Sequence, residues 1–157
     1  MGRLSPADGR VDRRAALVLA TGGVAVMLLP GAALAREPLH AVMRRFADGA
    51  RIQPGRVRLE VPPLVENGNA VGVTVRVDSP MTAADHVRRI ALFNDKNPQP
   101  DMAVFHLGPR AGRAHVSTRV RLATSQAIAA VAELSDGSFW SAEANVIVTL
   151  AACIEEL

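Results

Sequence analysis

The sequence predicts an all-β protein: an Ig-like antiparallel β-sandwich of about seven strands, preceded by a short N-terminal helix. Three observations carry this reading. From Gly55 onward the apolar residues recur at every second position rather than at helical spacing. The runs that do so are short and closely spaced. Between them stand turn-forming stretches, ENGN (66–69), DSP (78–80) and KNPQP (96–100). A partly closed barrel is the alternative architecture.

Residues 1–35 read as an export signal rather than as part of the fold. Arg13 and Arg14 form a paired basic start, and the uncharged stretch AALVLATGGVAVMLL (15–29) is short for a bilayer span. Pro30 and the small-residue pattern Ala33-Leu34-Ala35 follow it. The twin arginines point to a Tat-type leader and hence to a periplasmic protein; a Sec signal or an uncleaved anchor is the alternative. On this reading the domain spans 36–150, a tail spans 151–157, and no membrane segment remains after cleavage. The 122 residues left after position 35 suffice for one domain. They hold 14 basic and 13 acidic side chains, with no basic cluster longer than two. Aromatic residues make up only 3% of the chain, so stacking on bases is unsupported and nucleic acid is not an expected partner.

Taken in order, the first element is a helix over 38–48. Leu39, Val42, Met43 and Phe46 share one face, Pro38 suits the first turn and Gly49 the stop. Arg44 and Arg45 lie off that stripe and read as solvated surface. The strand runs are VRLEV (57–61), VGVTVRV (71–77), RRIALFN (88–94), MAVFHL (102–107), HVSTRVRLA (115–123), AIAAVAEL (127–134) and SFWSAEANVIVTL (138–150). The last is long enough to contain a bulge or to be two strands. The alanines of 127–134 also suit a helix, but the Asp136-Gly137 pair that follows favours a hairpin between the last two runs.

No catalytic or metal-binding pattern stands out, and no cofactor is expected. His40, His86, His106 and His115 fall on different elements without ligand spacing. There is no G-x-S-x-G elbow and no phosphate loop. One residue remains conspicuous. Cys153 is the sole cysteine, so it closes no disulfide within this fold. Filler in a strand, a bridge to another chain, and exposed chemistry all remain open. If VIVTL is the final strand, Cys153 lies three residues past it and reaches roughly 10 Å off the sandwich. A thiol on such an arm suits a carrier, because it can visit separate active sites, whereas a catalytic cysteine stays fixed beside its base. Were strand pairing to continue, Cys153 would share the less apolar face with Ile147 and Thr149.

Several blocks in one order, namely ENGN (66–69), VDSPMT (77–82), KNP (96–98), VSTRVRLA (116–123) and SDGSFWSA (135–142), then a valine-rich strand running into a cysteine, resemble the SoxY family of periplasmic sulfur carriers. The resemblance implies a non-catalytic carrier with an Ig-like fold, paired with a SoxZ-like subunit as a heterodimer. It implies transient contacts with SoxAX-like enzymes that attach thiosulfate, SoxB-like enzymes that hydrolyse sulfate away, and SoxCD-like enzymes that oxidise the remaining sulfur. Cys153 is the implied carrying residue.

The tail departs from the family's Gly-Gly-Cys-Gly-Gly pattern, since Ala151, Ala152 and Ile154 flank the cysteine here. Alanine admits fewer backbone conformations than glycine, so this arm is stiffer. Glu155, Glu156 and the terminal carboxylate add charge, and one unit charge about 6 Å away in water is worth on the order of 0.7 kcal/mol against the thiolate. The alternative function is accordingly a non-carrying binding or assembly subunit of a SoxYZ-like complex with a repurposed arm. Either way the aromatic-poor Val-Ala strands leave apolar surface that another subunit would cover, and the isolated protein is expected to associate.

Overall fold

The computed structural model describes residues 36–150; the expected leader (1–35) and the residues Ala151, Ala152, Cys153 and Ile154 lie outside them. The first element is α1 (Leu39–Phe46), entered from Pro38 in extended conformation. Its buried face is the predicted one: Leu39, Val42 and Met43 are buried, with Phe46 packed beside them. The helix is shorter than the expected 38–48. Asp48 already sits at φ 50°, and Gly49 at φ 79° donates its N–H to the Arg44 carbonyl at 2.9 Å, which closes the last turn.

Nine strands follow: β1 (Ile52–Pro54), β2 (Val57–Glu60), β3 (Leu64–Asn67), β4 (Val71–Val77), β5 (Val87–Asn94), β6 (Asp101–His106), β7 (His115–Val120), β8 (Gln126–Leu134) and β9 (Phe139–Leu150). They belong to one unit, Glu37–Leu157. One sheet runs β1-β9-β8-β5-β6, with β3 also paired to β9, and a three-stranded sheet runs β2-β4-β7. Two separate sheets make a sandwich and not a barrel.

The expectation of seven antiparallel strands needs two corrections. β1 and β3 were not anticipated, being three and four residues long and bounded by prolines or glycine, too short to show a period of two. Both pair with β9 in parallel, β1 at Phe139–Ser141 and β3 along Ile147–Leu150, so the larger sheet is mixed. β9 itself is one unbroken 12-residue strand, without the bulge or break that its length suggested. β7 ends at Val120 rather than at 123, because the Leu122 N–H leaves the ladder for the Gly68 carbonyl at 2.8 Å.

The core lies between the sheets. Val73, Val75 and Val77 of β4 meet Ile90 and Leu92 of β5 and Ala130, Ala132 and Leu134 of β8. The other face of the same two strands is covered by α1, where Leu39, Val42, Met43 and Ala47 pack on Ala91, Phe93, Ala129 and Val131. β5 and β8 are therefore buried on both faces, which is why they read as continuous apolar runs instead of alternating ones. The alanines of AIAAVAEL are short side chains under a helix on one face and within the sandwich on the other, and the run is a strand. Between β8 and β9 the hairpin forms as expected, with Gly137 at φ 80° and the Gly137 N–H donated to the Leu134 carbonyl at 3.0 Å.

Candidate functional site: the strand end that leads to Cys153

β9 is longer than its partner β8. The two pair from Phe139 to Val146, after which β9 runs on beside β3 alone, ending with Leu150 opposite Asn67. Side chains on this last stretch alternate: Val146 and Val148 are buried, Ile147 and Thr149 exposed. The stretch is pinned from both sides. Val148 donates its N–H to Ser125 Oγ at 2.9 Å, Ile147 donates its N–H to the Pro63 carbonyl at 2.9 Å, and Thr149 Oγ1 donates to the Glu66 carbonyl at 3.2 Å. Beneath it Val71, Leu122, Ile128, Val146 and Val148 form a small apolar cluster of their own.

The turns around this end are tied by amide side chains. Asn97 Oδ1 accepts from the Ala123 N–H and from Gln126 Nε2, both at 2.9 Å, while its Nδ2 donates to the Arg121 carbonyl at 2.8 Å. Gln126 Oε1 in turn accepts the Lys96 N–H at 3.1 Å. Asn94, buried on β5, donates from Nδ2 to the carbonyls of Gln99 and Pro100 and accepts the Asn97 N–H at 2.7 Å. Asn67 Oδ1 accepts the Asn69 N–H at 2.8 Å, shaping the short 3-10 turn Gly68–Ala70. These contacts fix the scaffold up to Leu150 through backbone-directed bonds, whose geometry is stringent. Sequence inspection singled out ENGN, KNP and VSTRVRLA only as blocks; the structure brings all three together at the root of the tail. Asn94, Ser125 and Gln126 were missed, and the only signal for them is polar residues at strand ends beside turns.

The other two blocks gather at the opposite end. The Asp78 N–H reaches the Arg56 carbonyl at 2.7 Å, and Arg56 lies 5.7 Å from the Trp140 ring centroid. Ser135 Oγ accepts the His86 N–H and donates to the Ala84 carbonyl, each at 3.1 Å. In the hairpin the Asp136 carboxyl is held below the usual carboxylate range, chiefly by hydrogen bonds from Ser138. His106 is exposed on the edge strand β6. Among the described residues no three of His, Cys, Asp or Glu come together as metal ligands, and no helix is long and apolar enough to cross a membrane.

Comparison with known proteins bears on this geometry. The family model for the sulfur oxidation protein SoxY matches residues 43–153. That span takes in every block named above and ends on Cys153. Among solved structures, the sulfur carrier protein SoxY from Chlorobium limicola f thiosulfatophilum is similar at 28% identity and a TM-score of 0.59, covering 71% of this chain and 96% of that one. A superoxide reductase (neelaredoxin) from Ignicoccus hospitalis matches at 21% identity and a TM-score of 0.53, covering 60% of this chain and 80% of that one. A superoxide reductase from Nanoarchaeum equitans matches at 12% identity and a TM-score of 0.52, covering 61% and 100%. The two reductases share the sandwich and, at that identity, nothing further is drawn from them. No curated protein matches. With a family model matching most of its length, and its fold shared with a solved sulfur carrier, the chain belongs to the SoxY family of sulfur oxidation proteins.

Proposed function

We propose that this chain is a covalent sulfur carrier, holding thiosulfate-derived sulfur on Cys153 and presenting it to separate enzymes of a periplasmic oxidation pathway. The observation that carries this reading is the family match that runs from the scaffold through Cys153, while the pinned strand β9 has its last described residue three positions earlier. Conjugation joins the cysteine thiolate to the outer sulfur of thiosulfate and releases two electrons to a haem enzyme. Hydrolysis then removes sulfate and leaves a persulfide on the cysteine. Neither step asks this chain for an acid, a base or a metal; it asks for a thiol that others can reach. Residues 151–157 act as the arm, and Ala151, Ala152 and Ile154 set its stiffness.

The remaining parts of the proposal follow the family. A SoxZ-like subunit pairs with this chain as a heterodimer, SoxAX-, SoxB- and SoxCD-like enzymes meet it transiently, and residues 1–35 export it through a Tat-type route. The exposed Leu64 and Ile147, register partners on β3 and β9, give a partner an apolar foothold beside the arm. Intact-mass analysis of the protein exported from thiosulfate-grown cells tests the carrier reading. Sulfur-containing adducts are expected on the wild type and none on Cys153→Ser; a clean thiol under all conditions would refute it and leave an assembly role.

A further inference from the structure

β6 and β7 are edge strands of different sheets and do not pair with each other. β7 lies against β4 on one side only, and two bonds fix which way its backbone groups point. The Val77 N–H goes to the Ala114 carbonyl and the Leu122 N–H to the Gly68 carbonyl, so the even-numbered residues of β7 turn their backbone groups toward β4. Ser117 and Arg119 therefore turn theirs to the open edge. The Arg121 carbonyl, which points the same way, is taken by Asn97 Nδ2 at 2.8 Å, and no such cap reaches Ser117 or Arg119 among the described residues.

Beside this edge lies a cleft of about 600 Å³. Met102, Phe105 and Val120 line it with half-buried apolar side chains that pack on the core. The outward row of β7, His115, Ser117, Arg119 and Arg121, is exposed and holds no carboxylate. Gly72 stands opposite Arg119 on β4 and offers it no side chain, and neither Arg119 nor Arg121 is in an ion pair among the described residues. Asp101, the one carboxylate lining the cleft, is already engaged by Arg45 at 3.1 Å.

We infer that an extended acidic segment of another protein adds to the free edge of β7 as a fourth strand of the small sheet. Main-chain bonds to Ser117 and Arg119 hold the segment, and its alternating side chains fit both faces. Carboxylates on the outer face meet Arg119 and Arg121 as cross-strand pairs, while apolar side chains on the inner face enter the cleft against Met102, Phe105 and Val120. Charge selects the occupant. A second copy of β7 brings arginines, a histidine and a hydroxyl to this row but no carboxylate, so like charges oppose it. Charged edge strands commonly guard against self-pairing; this guard turns away a like edge and admits an acidic one. The surface is built without the tail, so the inference is independent of what Cys153 carries.

The probe is a blocked, labelled peptide of roughly seven residues alternating glutamate and valine, the length of an ordinary strand. At saturation with the full chain, hydrogen exchange is expected to slow about tenfold at the Ser117 and Arg119 amides and to stay unchanged at Thr118 and Val120, which already face β4. Arg119→Glu with Arg121→Glu is expected to weaken binding about tenfold, the size of two cross-strand pairs turned repulsive. A peptide with lysine in place of glutamate then binds that variant instead, which also shows that the variant is folded. Four results each overturn the inference: no binding, equal binding of the lysine peptide to the wild type, binding without slowed exchange at Ser117 and Arg119, or exchange there already as slow as at Thr118 before peptide is added. The third leaves only adhesion to a basic surface, and the fourth shows an edge already covered by a second copy or by the chain itself.

Discussion

Replacing Asn94 by alanine tests whether the scaffold under the tail is held by amide side chains. Asn94 is 1% exposed, and its side chain makes three hydrogen bonds: Nδ2 to the carbonyls of Gln99 at 2.9 Å and Pro100 at 3.0 Å, and Oδ1 from the Asn97 N–H at 2.7 Å. Each is worth about 1 kcal/mol net, and partners left unpaired in a part-buried site cost more than the bond alone. The Pro100 carbonyl keeps the Asn94 N–H at 3.0 Å, which limits the loss there. The sum is about 2–3 kcal/mol. For a domain of this size that lowers Tm by about 10 °C, and the urea midpoint falls at unchanged slope. Asn145→Ala, on the exposed face of β9, serves as control and stays within about 0.5 kcal/mol. An Asn94→Ala variant within about 1 kcal/mol of wild type would show that the 95–100 loop is held by something else, and the account of the tail root would fail with it.

Two further outcomes are expected. Phe46→Ala removes edge-on contacts with Phe93 at 5.6 Å and Phe139 at 6.2 Å and uncovers Arg89, whose guanidinium lies 4.7 Å from the ring; chemical denaturation should show a loss of about 2–3 kcal/mol, and a change under about 1 kcal/mol would mean that α1 is not what seals the outer face. Asp136 has a folded-state pKa below its unfolded value, so its contribution is present above about pH 4 and is lost as pH falls through the lowered folded value. Asp136→Asn should flatten that acid limb of the stability curve, and an unchanged limb would assign it to other carboxylates.

Where the sequence was legible, one physical signal dominated. β4 is covered on one face only, and its valines alternate with Gly72, Thr74 and Arg76 in a period of two that needs no structure to read. The stripe of α1 was equally plain. What escaped was short or set by distant residues: β1 and β3 carry three and four residues, and nothing local says that both lie parallel to β9. At the tail root, Asn97 reaches Ala123 and Gln126 across 26 and 29 residues. An asparagine in a turn looks the same whether it bonds water or a strand residue 29 positions away.

The amino-acid order alone thus determined the sandwich class, the helix stripe, the family resemblance and the single thiol, because side-chain periodicity and residue identity are local properties of the chain. Only the tertiary structure decided that β5 and β8 are buried on both faces and that two parallel strands flank β9. It alone set ENGN, KNP and VSTRVRLA around the root of the tail and opened a cleft between β6 and β7. Those are relations between residues far apart in sequence, settled by how sheets and helix pack to exclude water.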